Sequence, residues 1–279
     1  MKTIGKINRI IKERELLKSR NLTIGFVPTM GYLHNGHISL VRKAKSISDR
    51  VIVSIFINPI QFGKNEDLSK YPRSLESDKK KLDEEKVDIL FYPSQNEMYK
   101  DRITKVSAIK YRPILCEKTR PDHFDGVLTV VAKLFNIISP DFAFFGEKDF
   151  QQLFLVTKMT KDLNFNLKII PCPIVREKDK LAMSSRNVYL SSKERSEAPI
   201  IYNTLLYAKK LFVEGVEPKK IEEIAKKLIE ENSSGKVDYI KIYDGKTLDE
   251  ISENSRDYRI FAAVWFGKTR LIDNIRVIK

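Results

Sequence analysis

Residues 23–47 predict a strand, a tight turn and a helix in immediate succession. Residues 23–27 form a short apolar run with strand character, and apolar residues recur between Ile38 and Ile47 at the spacing of one helix face. This β-α unit is the first element of the α/β fold that we predict for the chain.

The turn of this unit, residues 28–37 (PTMGYLHNGH), has the composition of an anion-binding site. Gly31 and Gly36 let the backbone approach a ligand, and the first amides of the following helix have no partners within it. His34 and His37 are two of the three histidines in the chain, and their spacing lets both face one phosphate. A histidine in a turn is more often a cap or a packed core group. The string also resembles the H-x-G-H signature of the nucleotidyl-transferring superfamily that includes class I aminoacyl-tRNA synthetases.

Length and composition indicate a globular protein. A chain of 279 residues with 42% apolar residues predicts one large domain or two unequal ones. No apolar run reaches the ~20 residues of a membrane span, and the N-terminus lacks the apolar core of a signal peptide, so we expect a cytoplasmic protein without a membrane partner. Cys116 and Cys172 are isolated and are interpreted as small apolar residues.

The net charge of +14 raises the question of nucleic-acid binding. The excess is mostly lysine dispersed along amphipathic segments, without interleaved aromatic residues or a basic tail. We therefore favour a solvated lysine-rich surface over RNA binding, and part of the charge is suited to polyphosphate substrates.

A second strand is predicted at residues 51–57, which are almost wholly apolar, as in a parallel strand buried on both faces. Polar residues at the carboxyl end of such a strand lie where open α/β sheets bind ligands. Asn58 is explained as a turn residue before Pro59. Gln61 has less structural reason and is a candidate ligand contact.

Further strands are predicted at residues 88–92, 141–145 and 167–171, with a short extended piece at 103–109. A helix is predicted at 74–85, and others after Gly126 and after Asp149. Residues 63–78 are polar and are interpreted as a surface loop of the kind that forms lids. Tyr71 in this loop either approaches a substrate or packs the loop onto the sheet.

The GEKD sequence follows the strand at 141–145. Asp149 with Gln152 fits a helix N-cap and its reciprocal partner, which would give both residues a structural role. Lys148 has no such role and, beside a helix N-terminus, is well placed for a phosphate.

Pro171 and Pro173 mark a boundary, so we predict domains at residues 1–173 and 174–279. Beyond it, residues 183–186 (MSSR) offer two hydroxyls, neighbouring amides and a guanidinium, which suit a triphosphate or, equally, a plain turn with a helix cap. Two amphipathic helices and strands at 237–243, 259–266 and 270–275 then predict a smaller α+β domain with an antiparallel sheet.

Six segments resemble the pantoate–beta-alanine ligase (pantothenate synthetase) family. They are PTMGYLHNGH, SIFINPIQF, YPRSLESD, RPDHFDGVLTVVAKLF, FGEKDFQQL and LAMSSRNVYLS, in the order and at about the spacing of that family. The resemblance implies a Rossmann-like parallel sheet that binds ATP and pantoate, a second α+β domain that closes over the site, and a homodimer. It also implies ATP-dependent condensation of pantoate with beta-alanine to pantothenate, a coenzyme A precursor, through a pantoyl-adenylate, with release of pyrophosphate and AMP.

The resemblance also implies which residues act. The ATP-binding residues would be Met30, Gly31, Tyr32, Leu33, His34, Asn35, Gly36, His37, Gly146, Glu147, Lys148, Asp149, Val175, Met183, Ser184, Ser185 and Arg186. Those acting in catalysis would be His37, His34, Lys148, Ser184, Ser185 and Arg186, with His37 as acid or charge stabiliser. Gln61 and Gln152 would bind pantoate, and Tyr71 would approach the acyl group near beta-alanine. Magnesium (Mg²⁺) would be carried by the ATP phosphates, since the sequence shows no carboxylate cluster to hold it.

The chain departs from the family pattern at four positions within or directly beside these segments. The family usually has alanine at Tyr32, glycine at Asp122 and Lys180, and tyrosine at Phe150. The nearest alternative function is a nucleotidyltransferase of the same superfamily that leaves AMP on a phosphorylated acceptor.

Overall fold

The computed structural model describes residues 1–63, 66–253 and 255–278. Lys64 and Asn65, which belong to the predicted lid loop at 63–78, lie outside the described residues. The chain divides into two compact units, Met1–Pro173 and Ile174–Lys279.

The first unit is built on a parallel sheet of six strands. These are β1 (Lys2–Ile4), β2 (Ile24–Thr29), β3 (Arg50–Ile55), β4 (Ile89–Phe91), β5 (Phe142–Gly146) and β6 (Lys168–Cys172). They lie in the order β1-β4-β3-β2-β5-β6, and every neighbouring pair is parallel. The central strands are buried, as their continuous apolar sequences predict. The predicted parallel α/β fold is confirmed.

Helices connect these strands. They are α1 (Ile7–Ser19), α2 (Asn35–Lys45), α3 (Leu75–Glu84), α4 (Gln95–Tyr99), α5 (Cys116–Thr119), α6 (His123–Ile138) and α7 (Phe150–Asp162), with 3-10 turns at Pro59–Gln61 and Glu147–Asp149. The helix predicted at 74–85 is α3. The apolar face predicted for α2 is buried in the core at Ile38, Leu40, Val41 and Ala44.

The order in which the chain adds strands to the sheet reverses at β2. The chain passes from β2 to β3 on one side and later reaches β5 on the other. In open α/β sheets, ligands bind outside the carboxyl ends of the strands at such a reversal. The turn that follows β2 and the segment that follows β5 therefore meet at the edge where a ligand is expected.

Two predictions for this unit need correction. Residues 103–109 form no strand: Ile103 and Ile109 are 96% and 89% exposed, and the amide of Val106 donates to Oγ1 of Thr129 (2.9 Å) instead of to a neighbouring strand. The helix predicted after Gly126 begins earlier, at His123, so this glycine lies within α6.

Gly126 is required where it lies because α6 passes very close to the Pro59–Gln61 turn. A Cβ at this position would be 2.4 Å from the carbonyl oxygen of Ile60. Any larger side chain would push α6 away from the segment that carries Gln61.

The second unit combines helices with a three-stranded antiparallel sheet. Its elements are a 3-10 turn at Ser185–Tyr189, α8 (Ser192–Glu197), α9 (Ile200–Val213), α10 (Pro218–Asn232), β7 (Lys236–Asp244), β8 (Asp257–Phe266) and β9 (Thr269–Ile278). The strand order is β7-β8-β9. Apolar residues of α9, α10 and β8, among them Leu205, Ile221 and Ile260, share one buried cluster. The predicted smaller α+β domain is confirmed.

A buried ion pair fixes a hairpin, residues 176–182, near the start of this unit. The guanidinium of Arg176 binds both carboxylate oxygens of Asp273 in β9 (2.6 and 2.9 Å) and lies 3.8 Å from the ring centre of Tyr202 in α9. The backbone of Arg176 also forms an antiparallel β-bridge with that of Ala182 across the hairpin. The ion pair therefore ties the hairpin to the sheet and to α9.

Three of the four departures from the family pattern have a left-handed backbone. The φ angles are 52° at Tyr32, 63° at Asp122 and 75° at Lys180. Glycine adopts this conformation without strain, whereas a residue with a Cβ does not. The usual glycines at positions 122 and 180 therefore fit the observed backbone better than the residues of this chain.

Replacing Lys180 with glycine is expected to stabilise the second unit. Lys180 closes the hairpin turn by donating its amide to the carbonyl of Glu177 (3.0 Å). Relief of strain should raise the free energy of unfolding by about 1 kcal/mol, as measured by urea denaturation. Lys178→Gly in the same turn, where φ is not positive, should lower it. Equal effects of the two substitutions would contradict this explanation.

Candidate active site

His34 and His37 form the N-terminal cap of α2. His34 is the extended N-cap residue, and its Nδ1 accepts the amide of Gly36 (3.1 Å), while Nδ1 of His37 accepts the amide of His34 (3.3 Å). The ring centres are 4.1 Å apart. The two imidazoles thus take the places that Ser and Glu hold in a usual capping box. The capping interpretation is correct, but it uses only Nδ1 of each ring.

The hydrogen bonds assign the tautomer of both rings. Because each Nδ1 accepts an N–H, the neutral ring carries its proton on Nε2. Burial, and then the positive charge of Lys148, lower the pKa of His34 to about 4. Burial, then His34 and Lys148, lower the pKa of His37 well below its ordinary value. Both rings are therefore uncharged at neutral pH, and each offers a donor at Nε2.

The turn before His34 is held by two side chains of α3. Gly31 and Tyr32 have positive φ angles of 83° and 52°, and the amides of Tyr32 and Leu33 both donate to the carboxylate of Asp78, at 2.7 Å each. Nζ of Lys81 donates to the carbonyl of Leu33 (2.6 Å). Asp78 is 2% exposed. Burial raises the pKa of its carboxyl, and the two amides oppose that rise.

Lys148 lies in the 3-10 turn after β5, and its charge acts on both histidines. The segments after β2 and β5 are thus brought together. Nζ of Lys148 is 3.8 Å from the carboxylate of Asp149. Asp149 is the N-cap residue of α7, as predicted, but its side chain makes no cap bond, so the predicted reciprocal pairing with Gln152 is wrong. As the last residue of a 3-10 turn it lacks the extended backbone of a typical N-cap.

Gln61 is buried and belongs to a chain of side-chain hydrogen bonds. Its Oε1 accepts from Nδ2 of Asn58 (2.9 Å), which also donates to the carbonyl of Gly126 (3.0 Å). Oδ1 of Asn58 accepts from the hydroxyl of Tyr99 (2.7 Å). Nε2 of Gln61 lies 3.2 Å from Sδ of Met30 in the histidine turn. A thioether is a weak acceptor, so Nε2 of Gln61 can instead donate its hydrogen bond to a stronger acceptor on a ligand.

The third histidine, His123, contacts the backbone of Gln61. The sequence did not indicate this contact. Nδ1 of His123 is 2.8 Å from the carbonyl of Gln61, and Nε2 is 3.1 Å from the guanidinium of Arg120. Because arginine can only donate, Nε2 accepts and Nδ1 carries the proton. Arg120 in turn binds both carboxylate oxygens of Glu66, at 2.7 and 2.5 Å.

Tyr71 is buried, and its ring meets that of Phe62 edge-on with 5.9 Å between centres. The packing alternative is therefore realised. The contact of Tyr71 with a substrate stays a prediction.

The remaining predicted nucleotide residues belong to the second unit. Oγ of Ser184 accepts the amide of Arg186 (3.2 Å), so Ser184 caps the Ser185–Tyr189 turn as the alternative interpretation held. The carbonyl of Val175 accepts the amide of Met183 (3.0 Å).

Comparison with known proteins decides the family. The pantoate–beta-alanine ligase family model matches residues 1–276. The chain belongs to the pantoate–beta-alanine ligase family. It is 52% identical over 279 residues to the pantothenate synthetase of Caldicellulosiruptor saccharolyticus, covering 99% of both chains. The predicted family and enzyme class are confirmed.

Solved structures agree with this assignment. A pantothenate synthetase from Thermus thermophilus superposes on the ligase with a TM-score of 0.92 at 39% identity, covering 100% of both chains. The Francisella tularensis ligase, described as complexed with beta-gamma ATP and beta-alanine, has a TM-score of 0.83 at 38% identity and covers 99% of this chain and 97% of its own.

Among the described residues of the ligase, no group of three or more His, Cys, Asp or Glu side chains is arranged to hold a metal ion. Across those same residues, every helix is too short or too polar to cross a membrane. Cys116 and Cys172 are both buried, as predicted for small apolar residues.

Two adjacent glutamines of the ligase provide a matched pair for substitution. Gln151 is buried and bonds to the amide of Cys116 and the carbonyl of Ile114 (3.0 and 2.8 Å). The next residue, Gln152, is rotated by about 100° from Gln151 around the axis of α7 and is half-buried.

We expect Gln152→Ala to raise KM for pantoate by about 5- to 100-fold with little change in the KM for ATP, since a polar contact of about 1–3 kcal/mol is lost. Gln151→Ala should instead lower the free energy of unfolding by about 1–3 kcal/mol. Steady-state kinetics and urea denaturation of both variants test this. A Gln152→Ala enzyme with normal pantoate dependence would remove Gln152 from the pantoate site.

Proposed function

We propose that the ligase acts in two steps at the edge formed by β2 and β5. The pantoate carboxylate first attacks the α-phosphorus of ATP, forming a pantoyl-adenylate and releasing pyrophosphate. The amine of beta-alanine then attacks the acyl carbon, forming the amide and releasing AMP and a proton. A carboxylate does not react with an amine at neutral pH, and the mixed anhydride with AMP supplies the leaving group.

The neutral histidine pair beside Lys148 carries this proposal. Two Nε2–H donors with a fixed tautomer, a lysine and a helix N-terminus are suited to the charge that develops on phosphate oxygens during adenylation. The donors need no proton transfer to act, so the protein mainly aligns the reactants and stabilises charge. The complex described for the Francisella tularensis ligase supports ATP and beta-alanine as ligands.

The remaining roles follow the family resemblance. Residues 30–37 would hold ATP, 146–149 the ribose and phosphates, Val175 the adenine and 183–186 the outer phosphates. Gln61, whose amide nitrogen has a weak thioether acceptor, would bind pantoate with Gln152. Magnesium enters as part of the ATP substrate. The homodimer, the cytoplasmic location and the closing role of the second domain stay predictions.

Isotope exchange tests the first step. Labelled pyrophosphate should be incorporated into ATP when pantoate is present, and beta-alanine should not be required. Full turnover should release free AMP in equal amounts with pantothenate. Pyrophosphate exchange that proceeds equally well without pantoate, or a stable adenylylated product, would favour the nucleotidyltransferase alternative.

A further inference from the structure

Two side chains of α3 bind three backbone atoms of the turn that precedes His34. We propose that Asp78 is a positioning residue, which acts on the reaction by fixing the histidine turn. This inference rests on the proposed adenylation, because it concerns the two rings to which that step is assigned. Lys81 assists by holding the carbonyl of Leu33.

The backbone of the turn explains why a carboxylate is needed there. With Gly31 and Tyr32 both left-handed, the amides of Tyr32 and Leu33 point in the same direction and converge on one carboxylate. Successive amides of this kind form an anion-binding nest. A larger residue at position 31 would be strained, because φ is 83° there and a Cβ would make a tight contact of 3.1 Å with Oδ2 of Asp78.

The α3 helix is anchored, so the carboxylate is a fixed point. Leu82 of α3 is fully buried in the same apolar cluster as Leu33 of the turn and Val41 of α2. Asp78 and Lys81 are three residues apart and therefore lie on one face of α3. The turn, the cap of α2 and α3 form one packed assembly, in which the direction of the His34 and His37 rings depends on the Asp78 contacts.

Asp78→Asn tests the proposal with a minimal change of shape. One acceptor becomes an N–H donor that faces a backbone N–H, so the turn must move. A displacement of about 1 Å at reacting groups can reduce the rate by about 100-fold, so we expect kcat for pantoate-dependent exchange to fall by about 10- to 100-fold. Glu76→Gln is the matched control, because this carboxylate lies on the same helix but is 86% exposed, and its kcat should not change.

A double substitution separates positioning from general stabilisation. If Asp78 acts through the histidines, adding Asp78→Asn to His37→Ala should lower kcat by clearly less than Asp78→Asn lowers it in the wild type, since the part of the effect that passes through His37 has already been lost and only the part through His34 remains. Losses that multiply, or a normal kcat in Asp78→Asn alone, would overturn the proposal. If Asp78→Asn does not fold, Lys81→Met in the same cycle decides the question by the same criteria.

Hydrogen exchange provides a readout independent of activity. Amides in residues 30–40 should exchange faster in Asp78→Asn than in the wild type or in Glu76→Gln. Unchanged protection there would contradict the positioning role. A wild-type enzyme without pantoate-dependent exchange would instead refute the proposed function, while the hydrogen-exchange result would still report on the Asp78 contacts.

Discussion

His37→Ala is expected to lower kcat for pantoate-dependent pyrophosphate exchange by about 10²- to 10³-fold, because His37 is assigned to charge that is present only in the transition state. The substitution also removes the acceptor for the amide of His34, which should reduce stability by about 1 kcal/mol. Kinetics well below the unfolding temperature separate the two effects. Unchanged turnover would exclude His37 from the adenylation step.

His37→Gln distinguishes a neutral donor from a general acid. The amide nitrogen of glutamine can reach the region of Nε2 and still donate a hydrogen bond, but it cannot give up a proton at neutral pH. We therefore expect His37→Gln to be more active than His37→Ala by about tenfold, the value of one neutral hydrogen bond. Equal loss in both variants would favour proton transfer by His37.

The pH dependence of kcat/KM for ATP provides a second check. Burial, and then His34 and Lys148, lower the pKa of His37 well below its ordinary value, so the free enzyme holds this ring uncharged at neutral pH. The profile of kcat/KM against pH reports ionisable groups of the free enzyme and the free substrate. We expect no fall in kcat/KM near pH 6.5 that is due to protonation of His37. Such a fall is called a limb of the profile. A limb present in the wild type but absent from His37→Gln would contradict the neutral-donor assignment. A limb shared by both would belong to other groups.

Asp273→Ala is expected to have the largest effect on stability, lowering the free energy of unfolding by about 3–5 kcal/mol. The substitution leaves the guanidinium of Arg176, 15% exposed, without its carboxylate. Urea denaturation of the full chain measures the loss. Glu231→Ala is the control, because its pair with Lys227 is exposed and should contribute at most about 1 kcal/mol. Similar losses of unfolding free energy in both variants would show that the buried Arg176–Asp273 pair contributes no more to stability than an exposed pair.

The fold was largely predictable because buried parallel strands have continuous apolar sequences. The sequences of β2, β3 and β5 predicted them for this reason. In contrast, β1 is an edge strand of three residues with one of them buried, and α1 buries only Ile10 fully. Neither has the periodicity that identifies an element from sequence, so both were missed.

Part of the geometry of the candidate site was predictable from the sequence, but the residues that hold its turn in place were not. The sequence pointed to His34, His37 and Lys148, and the structure places them together. It could not point to Asp78, because that carboxylate is 45 residues from the amide of Leu33 and reaches it only in the folded chain. The sequence correctly placed Asp149 at the N-cap of α7. It wrongly predicted a side-chain cap bond there, because the 3-10 turn that ends at Asp149 gives this residue a backbone that is not extended.

The pairing of β2 with β5 has a consequence for how the enzyme is made. The amide of Ile24 binds the carboxylate of Asp141 just before β5, and these residues are 117 positions apart. A nascent chain that has emerged only as far as β4 already contains the histidine turn and α3. It lacks Lys148, whose charge acts on both imidazoles, until β5 has left the ribosome and docked. We therefore expect full nucleotide affinity to be acquired only after this long loop has closed.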